Sequence, residues 1–283
     1  MRDDFGIFIV SHARAEEVLD NTLKVLQRGR YTGQWWIVVD DEDPQLDLYK
    51  ELWSKRLLIF SKKEMLDTID LCDNFYEDRK TVLFARNKCY DLARELGLTY
   101  FAMLDDDLKA IHYRFVENGK LRGAHVTNLD ELCDAMIKFL EVSGAKIVAF
   151  GQDGDFIGGA KGRFKQKVIR RAVNSFFCKV DRPVQFRGRI YEDTIANITL
   201  GMRGDLFFTI LDVQTSQRAM GKLKGGMKEA YDYYTYYVAA FYNVMNAPGV
   251  AKVLVTHKDK RRFINSYAWD KYVVSILDEK YKR

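Results

Sequence analysis

The chain has 283 residues, 47% hydrophobic and 30% charged, a balance that suits a folded protein with a sizeable core and excludes a disordered or low-complexity one. Its 45 basic and 40 acidic residues leave a net charge of +5, too slight by itself to name a polyanionic partner, so the placement of charge matters more. No run of about eighteen apolar residues is present to cross a membrane, and Met1-Arg2-Asp3-Asp4 leads straight into a strand-like run without a secretory leader.

Residues 5–10 are apolar and β-rich and run into Ser11-His12-Ala13-Arg14, after which Ala15, Val18, Leu19, Thr22 and Leu26 recur at helical spacing until Gly29. A second apolar run, 35–39, ends in Asp40-Asp41-Glu42-Asp43, with Pro44 and a helix through Trp53 behind it. Residues 57–60 make a third strand, and 81–96 form an amphipathic helix stopped by Gly97. That helix leads into Phe101-Ala102-Met103-Leu104-Asp105-Asp106-Asp107, a buried strand that tolerates three acids only where it emerges at its end. Strands alternating with helices predict an α/β fold, a mostly parallel sheet with helices on both faces. Such sheets bind ligands beyond the carboxyl ends of their strands, so the three polar strand ends should meet in one crevice.

In an extended backbone Asp105 and Asp107 point one way and Asp106 the other, giving two carboxylates that can converge on one cation. Oxygen-only ligands suit Mg²⁺ or Mn²⁺, which complete their shell with water and phosphate. The plain alternative is a solvated acidic turn.

The second half is elaborated. Asn128-Leu129-Asp130-Glu131 resembles a capping box opening a helix that ends near Gly144, and 146–150 is a strand. A glycine-rich stretch, 151–162, leads into six basic residues in eleven: Lys161, Arg163, Lys165, Lys167, Arg170 and Arg171. Residues 175–180 and 184–190 read as strands paired around Asp181-Arg182-Pro183, Tyr191-Glu192-Asp193-Thr194 opens a helix, 206–211 is a strand, and 227–244 is a tyrosine-laden helix. A last strand, 250–255, runs into a second basic cluster that includes His257, Lys258, Arg261 and Arg262. With no repeat or linker, one continuous domain over 1–283 is expected. The four cysteines, Cys72, Cys89, Cys133 and Cys178, match no zinc spacing and read as reduced, buried thiols of a cytoplasmic protein.

This order of parts resembles a nucleotide-sugar glycosyltransferase of the GT-A fold. The resemblance rests on residues 5–14, on Val38-Val39-Asp40-Asp41, on Ala85-Arg86-Asn87 opening the helix before the acidic strand, on Leu104-Asp105-Asp106-Asp107 as the D-x-D element, and on Tyr191-Glu192-Asp193 as a later acidic pair. With its compact size and basic second half, the chain is similar more narrowly to the TET-associated glycosyltransferases of phages, which modify oxidised methylpyrimidines in DNA.

The resemblance implies a division into a nucleotide-sugar and metal-binding half, 1–110, and an acceptor-binding half, 111–283. It implies Asp107 as direct ligand to Mn²⁺ or Mg²⁺, with Asp105 either a second ligand or facing ribose and sugar. It further implies Asp40 or Asp41 on base or ribose, and Ser11, His12, Arg14, Arg86 and Asp106 around the donor. His257 would be an added metal ligand, Lys258 would sit on a phosphate, and Asp193 or Glu192 would be the general base of an inverting transfer. Asp193 also reads simply as a helix N-cap. A UDP-sugar donor and a modified base such as 5-hydroxymethylcytosine in DNA follow, in the host cytoplasm if phage-encoded, with no membrane and no stable protein partner.

Both basic clusters would hold the phosphates of DNA, and Phe164, Phe176, Phe177 or Phe186 would replace a base flipped from the duplex. The same residues also fit a solvated basic face over core phenylalanines. A glycosyltransferase acting on a protein, glycan or small molecule, a nucleotidyltransferase, and a non-catalytic DNA-binding module are the competing readings.

Overall fold

The computed structural model describes residues 1–75, 77–217, 228–256, 262–269 and 279. The first half builds four parallel strands, β1 (Phe5–Val10), β2 (Gln34–Asp40), β3 (Leu57–Phe60) and β4 (Tyr100–Asp105), in the spatial order β3-β2-β1-β4. Each is nearly all apolar because helices cover both faces. Ile7 and Ile9 point into a core shared with α1 (Lys24–Arg28), α2 (Leu46–Trp53) and α5 (Leu129–Ser143), while Phe8 points into the opposite core under α4 (Leu83–Glu95); the one-turn α3 (Lys62–Met65) follows β3. Register fixes the site: Val10 lies opposite both Val38 and Asp105, so the chain leaves β1, β2 and β4 side by side at one edge.

The sheet then extends through β9 (Phe176–Lys179), β7 (Ile147–Gln152), β10 (Phe207–Gln217), β5 (Leu108–Glu117) and β6 (Lys120–His125), with the short β8 (Val168–Ile169) set against β10. β9 is antiparallel to both β4 and β7, so β7 runs in the direction of β4 and its carboxyl end faces the same edge. Beyond it lie α6 (Glu192–Gly201), α7 (Lys228–Asn246) and a hairpin of β11 (Ala251–Thr256) with β12 (Arg262–Tyr267). Among the described residues no helix is long and apolar enough to cross a membrane.

Several local expectations change. Residues 184–190 are not a strand: β9 inserts between β4 and β7 and uses both of its own edges there. The 184–190 backbone bonds elsewhere, with Gly188 N–H donating to Asp70 O and Arg189 N–H to Leu71 O. The expected capping box does not form. The Asn128 amide donates to the Glu131 carboxylate and accepts from the Tyr113 hydroxyl, while Leu129 N–H finds Gly29 O. β5 and β6 were not anticipated, although Asn118 (φ 49°) and Gly119 (φ 72°) are a hairpin turn of the type that twisted strands favour. Residues 250–255 are not the last strand, since β12 pairs with them. All four cysteines are free, but Cys72 is half-buried, its sulfur accepting from Arg187 Nε at 3.4 Å.

Candidate active site

The middle acid of the triple aspartate turns inward, although not through strand alternation: β4 stops at Asp105, and Asp106 and Asp107 lie in the turn that follows. Asp106 is 3% exposed and accepts from the Ser11 hydroxyl and from Arg14 Nη1, both at 2.6 Å. Tyr49 from α2 completes the brace: its oxygen lies 2.6 Å from Ser11 Oγ and accepts from Arg14 N–H at 3.0 Å. Burial pushes the Asp106 carboxyl up and the Arg14 guanidinium opposes it. Ser11, Arg14 and Asp106 thus lock the end of β1 to the end of β4.

Asp107 is left short of partners. Arg14 reaches it only at 3.7 Å, and its Oδ1 is buried with no hydrogen-bond partner. Burial, then Asp105 and Asp106, push its pKa up to about 7. A buried carboxylate oxygen without a donor, beside two more carboxylates, fits a hard divalent cation with oxygen ligands.

Asp105 is held within a closed polar ring. Gln217, at the end of β10, donates to Asp105 Oδ2 at 2.7 Å and accepts from Asn174 at 3.3 Å. Asn174 accepts from Arg86 Nη2 at 3.0 Å, and the same nitrogen lies 3.6 Å from Asp105 Oδ1. Arg86, on the first turn of α4, is 6% exposed, lies over the Phe176 ring at 4.7 Å and pairs through Nε with Glu192 Oε1 at 2.9 Å. The backbone is twisted where this ring and the acidic pair are set. Asn174 (φ 53°), Ser175 (φ 51°) and Tyr191 (φ 59°) are all left-handed, a conformation that costs non-glycine residues energy and that clusters at functional sites.

Glu192 and Asp193 are both buried at the start of α6. Burial pushes Glu192 up to about 7, with Arg86 opposing and Asp193 adding to the rise. Burial also raises Asp193, whose Oδ1 accepts from Thr194 N–H at 2.5 Å. Tyr191, not Asp193, occupies the cap position of this helix.

At the end of β2, Asp40 faces His12 at 3.4 Å and Lys62 Nζ at 3.0 Å, and His12 also meets Asp43 at 3.1 Å. Asp41 is exposed and caps Lys62 N–H at 3.1 Å. His12, Asp40 and Asp43 could geometrically hold a metal. Burial pulls the imidazolium down, yet the two carboxylates outweigh it and the His12 pKa rises to about 9. The buried Lys62 side chain already brings a basic group to Asp40, so a cation there would have to share that carboxylate with it.

The basic residues divide. Asp155, 2% exposed, holds Arg163 at 3.0 Å and Arg171 more closely still, and Lys167 pairs with Asp212 at 2.6 Å. Lys161, Lys165 and Arg170 are exposed. Phe164, Phe176, Phe177 and Phe186 are at most 2% exposed, so none of them can replace a flipped base; they are core. His125 sits in β6 with its ring 4.4 Å from that of His112. His257, Lys258 and Arg261 lie outside the described residues, and Arg262 begins β12. Tyr49, Lys62, Asp43, Asn174 and Gln217 were not singled out from the sequence. Of these only Asp43, in the acidic run after β2, carried a local signal.

A parallel half-sheet whose strand ends gather carboxylates and arginines, continued by an antiparallel strand and a second acidic pair, defines a class: glycosyltransferases of the GT-A fold. A mannosyltransferase from Pyrobaculum calidifontis, solved in complex with GDP-Man and Mn²⁺, superposes with a TM-score of 0.54 at 12% identity, over 88% of this chain and 64% of that one. Glucosyl-3-phosphoglycerate synthase from Mycobacterium tuberculosis, in complex with Mg²⁺ and UDP, aligns with a TM-score of 0.46 at 11% identity, over 94% of this chain and 87% of that one. The chain thus spans less than two thirds of the length of the mannosyltransferase. No curated protein matches it by sequence. The chain belongs to the TET-associated glycosyltransferase family, whose model matches residues 5–226.

Proposed function

We propose that this glycosyltransferase moves a sugar from a UDP-sugar to the hydroxyl of a modified base such as 5-hydroxymethylcytosine in DNA, with a divalent cation held at Asp107 and Asp105. The observation that carries the metal-dependent reading is the buried Asp107 Oδ1 without a partner, set beside Asp105 at the carboxyl edge of the sheet. Mn²⁺ or Mg²⁺ bound there would neutralise the charge that builds on the departing diphosphate.

The protein's own groups do the rest. The Ser11–Arg14–Asp106 brace fixes the D-x-D turn, so that Asp105 and Asp107 are in place before the donor arrives. Arg86 and Gln217 orient Asp105. His12, Lys62 and Asp40 flank the nucleoside end of the crevice, and Asp41 is exposed beside them. Glu192, whose raised pKa lies near neutrality, or Asp193 beside it accepts the proton of the attacking hydroxyl in an inverting transfer. Residues 1–110 serve the donor and 111–283 the acceptor, within one continuous domain.

The DNA acceptor is supported by the family and by the exposed lysines of the 157–171 loop. The test is nucleotide release from a panel of UDP-sugars with Mn²⁺, with and without DNA containing 5-hydroxymethylcytosine. Release stimulated by hydroxymethylated but not by unmodified DNA is expected. Release that ignores DNA would overturn the acceptor, and release of sugar 1-phosphate in place of UDP, the mark of nucleotidyl transfer, would overturn sugar transfer.

A further inference from the structure

Among the described large apolar side chains, Ile157 is 78% exposed, more than any other. It stands at the start of the loop that leaves the carboxyl end of β7, the sheet edge that also carries Asp105. An isolated exposed isoleucine needs no explanation. This one is mounted on a rigid base. Directly before it, Asp155 and Phe156 are buried: Asp155 holds Arg163, Arg171 and Gln152 N–H, and Phe156 packs in a small core with Phe164, Ile169 and Leu211. Directly after it, Gly158 (φ +87°) and Gly162 close a turn with room for glycine alone, since a Cβ on Gly162 would lie 2.2 Å from Ile157 O.

The charge around the tip is one-sided. Asp155 is consumed by its arginines, and Asp153 accepts from Gln214 and Ser216. Lys161 and Lys165 remain exposed on the loop, with Lys120 exposed on β6, whose Leu121 packs against the same small core. A preformed loop that offers one apolar side chain flanked by lysines, at the edge where a base would be modified, has the form of a wedge for a base stack.

We infer that Ile157 inserts into duplex DNA at the target step, holding open the space left by the extruded base while Lys161 and Lys165 take the neighbouring phosphates. This rests on the DNA reading proposed above. Chemistry on a base inside a duplex requires its extrusion, and a single strand has no stack to open. The wedge therefore predicts a defect that depends on strandedness, which a generally weakened enzyme would not show.

The experiment compares sugar transfer to one hydroxymethylated sequence presented as duplex and as single strand, by wild type, Ile157→Ala and Ile157→Asp. The expected result is that kcat/KM on duplex falls about tenfold more than on single strand in both variants, with Tm unchanged because the residue packs against little. Equal losses on the two acceptors, or no loss on duplex, would overturn the wedge and leave the DNA reading standing. A wild type inactive on both DNAs would overturn the DNA reading and the wedge with it. In the Lys161→Ala, Lys165→Ala double variant, the slope of log affinity for duplex against log salt should fall by about 2, and an unchanged slope would remove the lysines from the contact.

Discussion

At the ends of β1, β2 and β4, with the start of α6, seven carboxylates (Asp40, Asp43, Asp105, Asp106, Asp107, Glu192 and Asp193) share four basic side chains, His12, Arg14, Lys62 and Arg86. In the 152–171 segment two carboxylates, Asp153 and Asp155, stand against six basic side chains. Both regions bury acids with arginines, but they end with opposite surpluses. The carboxylate edge keeps the buried Asp107 Oδ1 without a hydrogen-bond partner, whereas the loop spends its acids inward and turns its lysines out. Under the proposed function, a site that attracts a cation and a neighbouring surface that attracts a polyanion would be kept apart by where each acid is neutralised.

If the acid surplus serves a cation, removing its unsatisfied member should have the largest effect of any single change. Asp107→Ala is expected to lower metal-dependent kcat by about 1000-fold or more, equivalent to about 4 kcal/mol of lost transition-state stabilisation, with the circular dichroism spectrum and Tm retained. Near-normal turnover in that variant would break the contrast, because the surplus would then be structural. The next effect falls on stability. Arg189 is fully buried and pairs with Asp73 at 2.7 Å and 3.0 Å, while Tyr242 of α7 donates to the same carboxylate. Arg189→Met would leave Asp73 without its cation and should cost about 3–5 kcal/mol in urea denaturation. It should also loosen the 188–193 turn that presents Glu192.

The parallel half was legible because each of its units is local. Residues 5–10 and 57–60 coincide with β1 and β3, and the strand carrying the aspartates ends at Asp105 as the pattern implied. Convergence of the three strand ends followed from topology alone. Less could be read where distant segments meet. Nothing near Gln217 in the sequence shows that β10 continues past 211 through a register shift and delivers that side chain to Asp105, 112 residues away in the chain. Asn174 acquires its place from a left-handed backbone that no composition signals, and Lys62 from the pairing of β2 with β3. The basic loop was visible as a charge run, but burial reversed the roles within it: the phenylalanines went into the core and an unremarked isoleucine came to the surface.

Two smaller effects sharpen the contrast from within the carboxylate edge. His12 has its pKa raised from 6.5 to about 9 by Asp40 and Asp43 against the pull of burial. A raised folded-state pKa means that its stabilisation is fully present below pH 6.5 and is lost as pH rises through about 9. The contribution is on the order of 2–3 kcal/mol. Urea denaturation of wild type from pH 6 to 10 should show that decline, and His12→Gln should flatten it. An equal slope in both proteins would mean that the imidazole is not the charge balancing this pair.

Gln217→Ala probes the polar ring alone. It removes the 2.7 Å bond to Asp105 Oδ2 but leaves Arg86 on the other oxygen and leaves Asp107 untouched. One hydrogen bond to a charged group is worth about 1.5 kcal/mol, so kcat/KM should fall about tenfold, with the cation concentration for half-maximal activity rising as Asp105 wanders. Gln217→Glu adds a carboxylate to an edge that already has too many, and if the surplus is what the site is built on, its defect should exceed that of the alanine and be partly relieved by raising Mn²⁺. Relief by Mn²⁺ in the glutamate variant, absent in the alanine variant, would identify the carboxylates around Asp105 as a shared cation site. Equal defects insensitive to metal would reduce Gln217 to a packing role and confine the cation to Asp107.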